Sequence, residues 1–250
     1  MTGVGLGAQL YGSRAGDGTA AFGARLRREL GGEVLFDRFT RGRYSTDASM
    51  YQITPVGVVV PRTVEDVRRL LSLAAEERVP LVPRGGGTSQ GGQAIGEGLV
   101  VDTSKYLTAI RGFDPEAGTV RVEPGVILDR LNAFLKPHGL WFPVDPATAA
   151  QATIGGMAGN NSAGARSLRY GLMADNVRSI AASLVGGGGY RFAELPDHLA
   201  DAAQAGLSAE YLALARSLRT IYLSQADELA QRAPKVMRHV AGYNLQRVGP

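Results

Sequence analysis

Cysteine is absent from the 250 residues. Disulfides, thiolate metal sites, iron–sulfur ligation and a cysteine nucleophile are therefore excluded within the chain. Histidine is scarce, with three residues (His138, His198 and His239). Their spacing fits no ligand pattern, so no metal site is expected. No apolar run approaches the ~18 residues of a membrane-spanning helix. The opening stretch, MTGVGLGAQLYGSRAGDG, lacks the basic start and apolar segment of a signal peptide. The expectation is a cytoplasmic protein without a transmembrane segment, with peripheral attachment to a membrane as the alternative. One-sided charge is lacking too. Lys and Arg number 27 against 23 Asp and Glu, and the cations are scattered, so no nucleic-acid surface is expected. With 20% charged and 44% hydrophobic residues, the chain is not of the disordered class.

What is present in excess is glycine. Its 34 residues are about twice the usual ~7% share, without the period of collagen. The surplus has to be explained locally, as loops. Residues 1–18 are glycine-rich and aperiodic and are expected to be frayed. Thr19 is placed to cap a helix whose buried face carries Phe22, Leu26 and Leu30, with Gly31 and Gly32 ending it. Val56–Val60 reads as a strand covered on both faces, stopped by Pro61. Thr63 and Asp66 form a capping signature for a helix with a stripe of Val67, Leu70, Leu71 and Ala74. Pro80–Pro83 is the next strand. Strand, helix and strand in so short a span make a βαβ unit with parallel strands. Further strands are expected at 99–102 and 119–123, a helix at 126–135, a strand at 177–185 and one long helix over 209–231.

Three segments could carry chemistry. The first, Pro83 to Gln93 (PRGGGTSQGGQ), directly follows a strand. Its consecutive glycines admit left-handed backbone, and their N–H groups can converge into an anion-binding nest. Thr88 and Ser89 add hydroxyls and Arg84 adds charge, which suits a pyrophosphate; a flexible glycine loop is the competing reading. It is neither a Walker loop nor a Rossmann fingerprint, because no Gly-Lys-Ser/Thr and no convincing helix follow. The second segment, residues 143–171, is long, aperiodic and rich in Gly, Ala, Asn and Ser. Such a stretch inside a compact domain is usually functional or disordered, and this one can wrap closely on a planar aromatic ligand. The third, Val122 to Val126, is by itself a strand-to-helix turn. Arg84, Arg166 and Arg169 are candidate carboxylate partners, and Tyr44, Asp47, Tyr170 and His239 are candidate cleft residues. Structural or surface roles are the default for all of them.

The ordered set PRGGGTS, VEPGV, PVDPATAAQATIGG, GNNSAGARSLRYG and AGYNL resembles the flavin-binding domain of the FAD-linked oxidases, the para-cresol methylhydroxylase/vanillyl-alcohol oxidase superfamily. It is most similar to the D-lactate, glycolate and D-2-hydroxyglutarate dehydrogenases. YSTDAS, GNNSAGARSLRYG and GYNL resemble the long bacterial members. The resemblance implies an α+β, α/β-rich fold of two subdomains, here residues 19–250. The first would be 56–124 and the second, 125–250, would be incomplete. It implies FAD held by Arg84, Gly85, Gly86, Gly87, Thr88, Ser89 and Gln93 at the pyrophosphate. Pro143, Asp145, Thr153, Ile154, Gly155 and Gly156 would lie beside the isoalloxazine and ribityl chain, with Gly159, Asn161 and Ala163 at the flavin or its phosphates. The glycine loop has no histidine, so non-covalent FAD is expected. Two departures stand out: Gly186–Gly189 replaces the family's usual Ala-Asp-Gly turn, and the segment that completes the second sheet and the substrate domain are not in the sequence. The implied reaction removes a hydride from the α-carbon of a 2-hydroxy acid to flavin N5, giving the 2-oxo acid. The catalytic residues stay unassigned, and a missing C-terminal substrate domain or a partner chain would supply them. The alternatives are a truncated, non-catalytic flavin-binding fragment and a cell-wall UDP-sugar enolpyruvyl reductase-type flavoprotein.

Overall fold

The computed structural model describes residues 17–185, 188–195, 206–237, 244, 245 and 248. The frayed start expected for residues 1–18 thus lies almost wholly outside the described residues, as do His198, His239, Gly186 and most of AGYNL. The chain divides into two compact units, residues 1–173 with 184–188, and residues 174–183 with 189–250. The sequence reading divides it earlier, at 124/125.

The first unit is built on a four-stranded sheet. Helix α1 (Asp17–Glu29) precedes β1 (Glu33–Leu35) and α2 (Arg38–Arg43). Phe22, Leu26 and Leu30 are buried as their spacing requires. Thr19 is no cap, because the helix already begins at Asp17. Strand β2 (Gly57–Val60) is buried along its whole length. Helix α3 (Val64–Glu76) follows, with Thr63 and Asp66 forming the reciprocal cap. Asp66 does more than cap. Its carboxylate accepts N–H groups from Gly31 at 2.8 Å, Arg62 at 2.9 Å and Thr63 at 3.3 Å. These bonds turn position 66 inward, so the buried stripe is Leu70, Leu73 and Ala74, and Leu71 is only half-buried.

Strand β3 (Leu81–Arg84) and strand β4 (Leu99–Asp102) complete the sheet, in the order β1-β2-β4-β3. β4 runs parallel to both β2 and β3, and β1 is antiparallel to β2. The α3 crossover therefore skips one position, which β4 fills. β3 lies at the edge, where Pro83 is tolerated because its missing N–H faces outward. Helices α1 and α3 cover one face through Leu26, Leu70, Leu73 and Val59. Val58, Val60 and Val100 meet Tyr44 and Tyr106 on the other.

A hairpin follows, β5 (Ile110–Asp114) with β6 (Thr119–Val122). β5 escapes the sequence reading because Gly112 breaks its alternation and the register shifts there. Helix α4 (Leu128–Leu135) packs Leu131 and Leu135 with Val126 against this hairpin. The aperiodic stretch 143–171 holds two short helices, α5 (Ile154–Gly159) and α6 (Ser167–Tyr170).

In the second unit, β7 (Ser179–Ser183) and β8 (Gly189–Ala193) form an antiparallel hairpin. Helix α7 (Ala209–Ser224) places Tyr211 against Tyr190 and Phe192, with ring centroids 5.6 and 5.5 Å away. The single helix expected over 209–231 breaks at Gln225, and α8 (Ala226–Arg232) continues after it. The Ser224 hydroxyl donates to the Ile221 carbonyl at 2.9 Å, and the Gln225 N–H closes on Tyr222 at 3.1 Å. This is the local side-chain competition that interrupts helices.

Candidate anion-binding cradle

The cradle hangs from the carboxyl end of β3. In open α/β sheets this is the side on which ligands settle. Residues 85–93 form the loop itself. A Cβ at Gly85 would overlap the Thr153 hydroxyl, and one at Gly86 would overlap the Gln151 carbonyl. The glycines are thus required by the protein itself. They let the loop lie flat on the 151–153 turn, and the side-chain space they vacate is filled by that turn. Gly87 adopts φ 66° and packs over the Arg84 guanidinium.

This packing leaves polar groups without partners. Among the described residues, no acceptor bonds the main-chain N–H groups of Gly85, Gly86, Gly87 or Thr88. All four residues belong to one short, partly exposed stretch. Partly desolvated N–H groups need an acceptor, and successive ones on a glycine bend suit an anion. The Ser89 hydroxyl accepts the Asn160 Nδ2–H at 3.2 Å. Its own proton is left to donate, as is that of the Thr88 hydroxyl. The donor set fits the diphosphate of a dinucleotide.

The neighbouring turn is held from below. The Pro124 carbonyl accepts the Gly155 N–H at 2.8 Å, and the Val126 carbonyl accepts the Ile154 N–H at 2.8 Å. The Thr153 hydroxyl, buried, caps α5 by accepting the Gly156 N–H at 3.3 Å. Thr153, Ile154, Gly155 and Gly156 thus spend these groups inside the protein, and Ile154 packs beside Val126. The Val122–Val126 segment is the anvil of the site as well as a turn. Within it Glu123 accepts the Ala109 N–H at 2.8 Å and the Arg111 guanidinium at 2.6 Å. Burial pushes this carboxyl up, but these bonds and the Arg111 charge outweigh it and hold it below the usual range.

The other sequence-derived residues fall in two places. Asn161 takes a left-handed φ of 44° just after α5, an uncommon conformation for a residue with a side chain; Gly159 ends that helix and Ala163 follows, half-buried. Half-buried Pro143 stands two residues before Asp145. Asp145 accepts the Arg166 N–H at 3.0 Å and faces its guanidinium at 3.5 Å. Arg166 also lies 4.7 Å over Trp141, whose ring meets Tyr170 edge-on at 5.2 Å. Arg166 is thereby committed to Asp145 and Trp141. Gln93 accepts the Gly91 N–H at 3.2 Å and is exposed.

Arg84 is anchored as well. Its guanidinium donates to the Thr46 carbonyl at 2.9 Å and the Ala94 carbonyl at 3.1 Å, and lies 5.6 Å over the Tyr44 ring. The Tyr44 hydroxyl donates to Asp102 at 2.6 Å. Burial, and then this carboxylate, push the phenol far above its ordinary range, so it stays a donor. Sequence reasoning left Asn160 out of the candidate residues, and it named Asp47 as a cleft candidate without the partners the fold gives it. Asn160 stands inside the quoted GNNSAG motif, but only the fold brings it to Ser89. Among the described residues no metal-holding cluster occurs, and no helix is long and apolar enough to cross a membrane.

The chain is similar to known proteins in sequence and in fold. The D-2-hydroxyglutarate dehydrogenase of Escherichia coli K12 is 39% identical over 218 residues, covering 85% of this chain and 21% of that enzyme. The glycolate oxidase subunit GlcD of Bacillus subtilis is 40% identical over 164 residues, covering 64% of this chain and 35% of the subunit. A solved alkyldihydroxyacetonephosphate synthase superposes with a TM-score of 0.63 at 21% identity, over 70% of this chain and 35% of that one. The fold is thus the mixed α/β fold of the para-cresol methylhydroxylase type. The chain spans about a fifth of the length of the dehydrogenase it matches. Residues 55–192, more than half of the sequence, match the family described as FAD binding domain, and the chain belongs to that family.

Proposed function

We propose that this chain is the FAD-binding portion of a flavin-dependent oxidoreductase that oxidises a 2-hydroxy acid, of the D-2-hydroxyglutarate, D-lactate or glycolate type, to the 2-oxo acid. The observation that carries the reading is the run of N–H groups at Gly85–Thr88 with no acceptor among the described residues. FAD, when bound, supplies the two-electron acceptor. The chain's own part is to bind and orient. The amides of Gly85 to Thr88 and the hydroxyls of Thr88 and Ser89 hold the diphosphate. Residues 143–163 form the wall toward the ring system, and the cofactor is held without a covalent bond. Groups that touch the hydroxy acid come from a substrate domain or a partner chain, in keeping with relatives roughly five times as long. A cytoplasmic location belongs to the same proposal.

The share of the relatives that is spanned favours a second reading, a flavin-binding segment with no turnover of its own. One experiment separates the two. The purified chain is titrated with FAD, followed by its visible absorbance and fluorescence, and D-2-hydroxyglutarate or D-lactate is then added without oxygen. Bound flavin that bleaches supports the complete reaction within this chain. Bound flavin that stays oxidised assigns binding here and chemistry elsewhere. A chain that binds no FAD overturns the proposal.

A further inference from the structure

The matched FAD-binding region starts at residue 55, yet the cradle is gripped by residues before it. Tyr44 to Ile53 fold back as a small hairpin. Thr46 bridges Gln52, and the Ile53 N–H donates to the Ser45 carbonyl at 2.9 Å. Ser45 is fully buried, with its hydroxyl donating to the Gly42 carbonyl at 2.7 Å. The hairpin is therefore rooted in α2 and the sheet.

Its outer half touches the glycine loop at both ends and in the middle. The Thr46 carbonyl accepts Arg84 at the loop's start. The Ala48 N–H donates to the Gly87 carbonyl at 3.1 Å in the centre. Asp47 Oδ2 accepts the Ala94 N–H at 3.4 Å at its end, and the Tyr51 ring lies over Gly92. The other Asp47 oxygen accepts the Ser49 N–H at 2.8 Å, which fixes the hairpin tip. A loop of glycines has many conformations to lose, and contacts outside it help to select one. The hairpin supplies such contacts.

We infer that the hairpin groups that touch the loop, those of Thr46, Asp47, Ala48 and Tyr51, are a working part of the cofactor site, and that Asp47 is a positioning residue holding the 85–94 loop in its anion-binding shape. Asp47 makes no contact with the cofactor in this account; it acts through the loop. The inference rests on the FAD reading above.

The test is FAD affinity of the whole chain, by quenching of flavin fluorescence, for wild type, Asp47→Ala, Asp47→Asn and Met50→Ala. The melting midpoint of each is read without FAD. Asp47→Ala loses both accepted bonds and should weaken FAD binding by at least about tenfold, the scale of one charge-assisted hydrogen bond. Asp47→Asn keeps one carbonyl acceptor and should recover part of that loss. Met50 is 91% exposed at the hairpin tip, and its alanine variant should bind like wild type. If Asp47→Ala does not fold, the milder Asp47→Asn carries the measurement, with a loss of a few-fold expected. Asp47 variants that bind FAD as tightly as wild type overturn the inference and leave the FAD reading standing. So does a loss from Met50→Ala as large as theirs. A wild-type chain that fails to bind FAD overturns both.

Discussion

The buried sheet and the glycine cradle lie end to end in one unit, and they are stabilised in opposite ways. Strands β2 and β4 bury every residue. Their side chains alone, chiefly valine and leucine, drive them inside, and their main-chain groups pair within the sheet. The loop that leaves β3 has almost no side chains to bury. It keeps a row of N–H groups without acceptors among the described residues and relies on neighbours for its shape. A core satisfies itself. On the proposed reading, a site for an anion keeps donors unsatisfied until the ligand arrives, so the order of this loop comes from elsewhere: the 151–153 turn beneath, the Pro124–Val126 segment below that, and the 45–53 hairpin alongside.

Two substitutions would break this contrast at either end. Leu73 is fully buried between α3 and the sheet, and Leu73→Ala should cost about 2–5 kcal/mol of stability by urea unfolding. The fraction that remains folded should bind FAD with unchanged affinity. Gly86→Ala places a methyl group on the Gln151 carbonyl and should cost less stability, about 1–3 kcal/mol, because the loop can lift away. Lifting separates the amides, so FAD affinity should fall by far more than the stability does. Equal loss of affinity in both variants would show that cradle and core are one cooperative unit rather than two.

The same contrast decides what could be read from the residues alone. β2, β4 and the buried face of α1 were legible because burial writes a pattern of apolar spacing. The glycine loop was legible as a bend of left-handed backbone after a strand, and its chemistry remains the reading proposed above. The reason for those glycines was not: the chain that presses against Gly85 and Gly86 is more than sixty residues away in sequence, at Gln151 and Thr153. Asn160 meeting Ser89, and Asp47 meeting Ala94, are long-range pairings of the same kind. β5 was hidden by Gly112, and the register of α3 by a carboxylate that turned inward. Polar groups that find partners across the fold leave no periodic trace.

A finer comparison sets a cap against a foundation. Thr63 accepts the Asp66 N–H at 3.0 Å, far from the cradle, and Thr63→Ala should cost about 1 kcal/mol with no change in FAD binding. Glu123 anchors the segment on which the 151–155 turn rests, and Glu123→Gln keeps its shape and loses its charge. A loss of about 1 kcal/mol is expected for a charged hydrogen bond exchanged for a neutral one. Here FAD binding should weaken slightly too, since the foundation of the cradle loosens.

Acid should then distinguish these two variants. The Glu123 carboxyl titrates below its ordinary value of ~4.3, because the Ala109 N–H and the Arg111 cation outweigh its burial. A carboxyl whose folded value lies under its unfolded one contributes stability that is complete above the unfolded value. That contribution is lost as pH falls through the folded value. Wild type should therefore lose stability on acidification below about pH 5, and Glu123→Gln should lose less. Glu29, Glu33, Asp37 and Asp47 are also held low, but they are common to both proteins and cancel in the difference. The gap between wild type and Glu123→Gln, read from urea midpoints across pH, should close toward zero in acid. The gap between wild type and Thr63→Ala should persist, because a hydroxyl cap has no proton to gain. A gap for Glu123→Gln that stays constant with pH would mean that Arg111 and Ala109 give the carboxylate nothing an amide cannot.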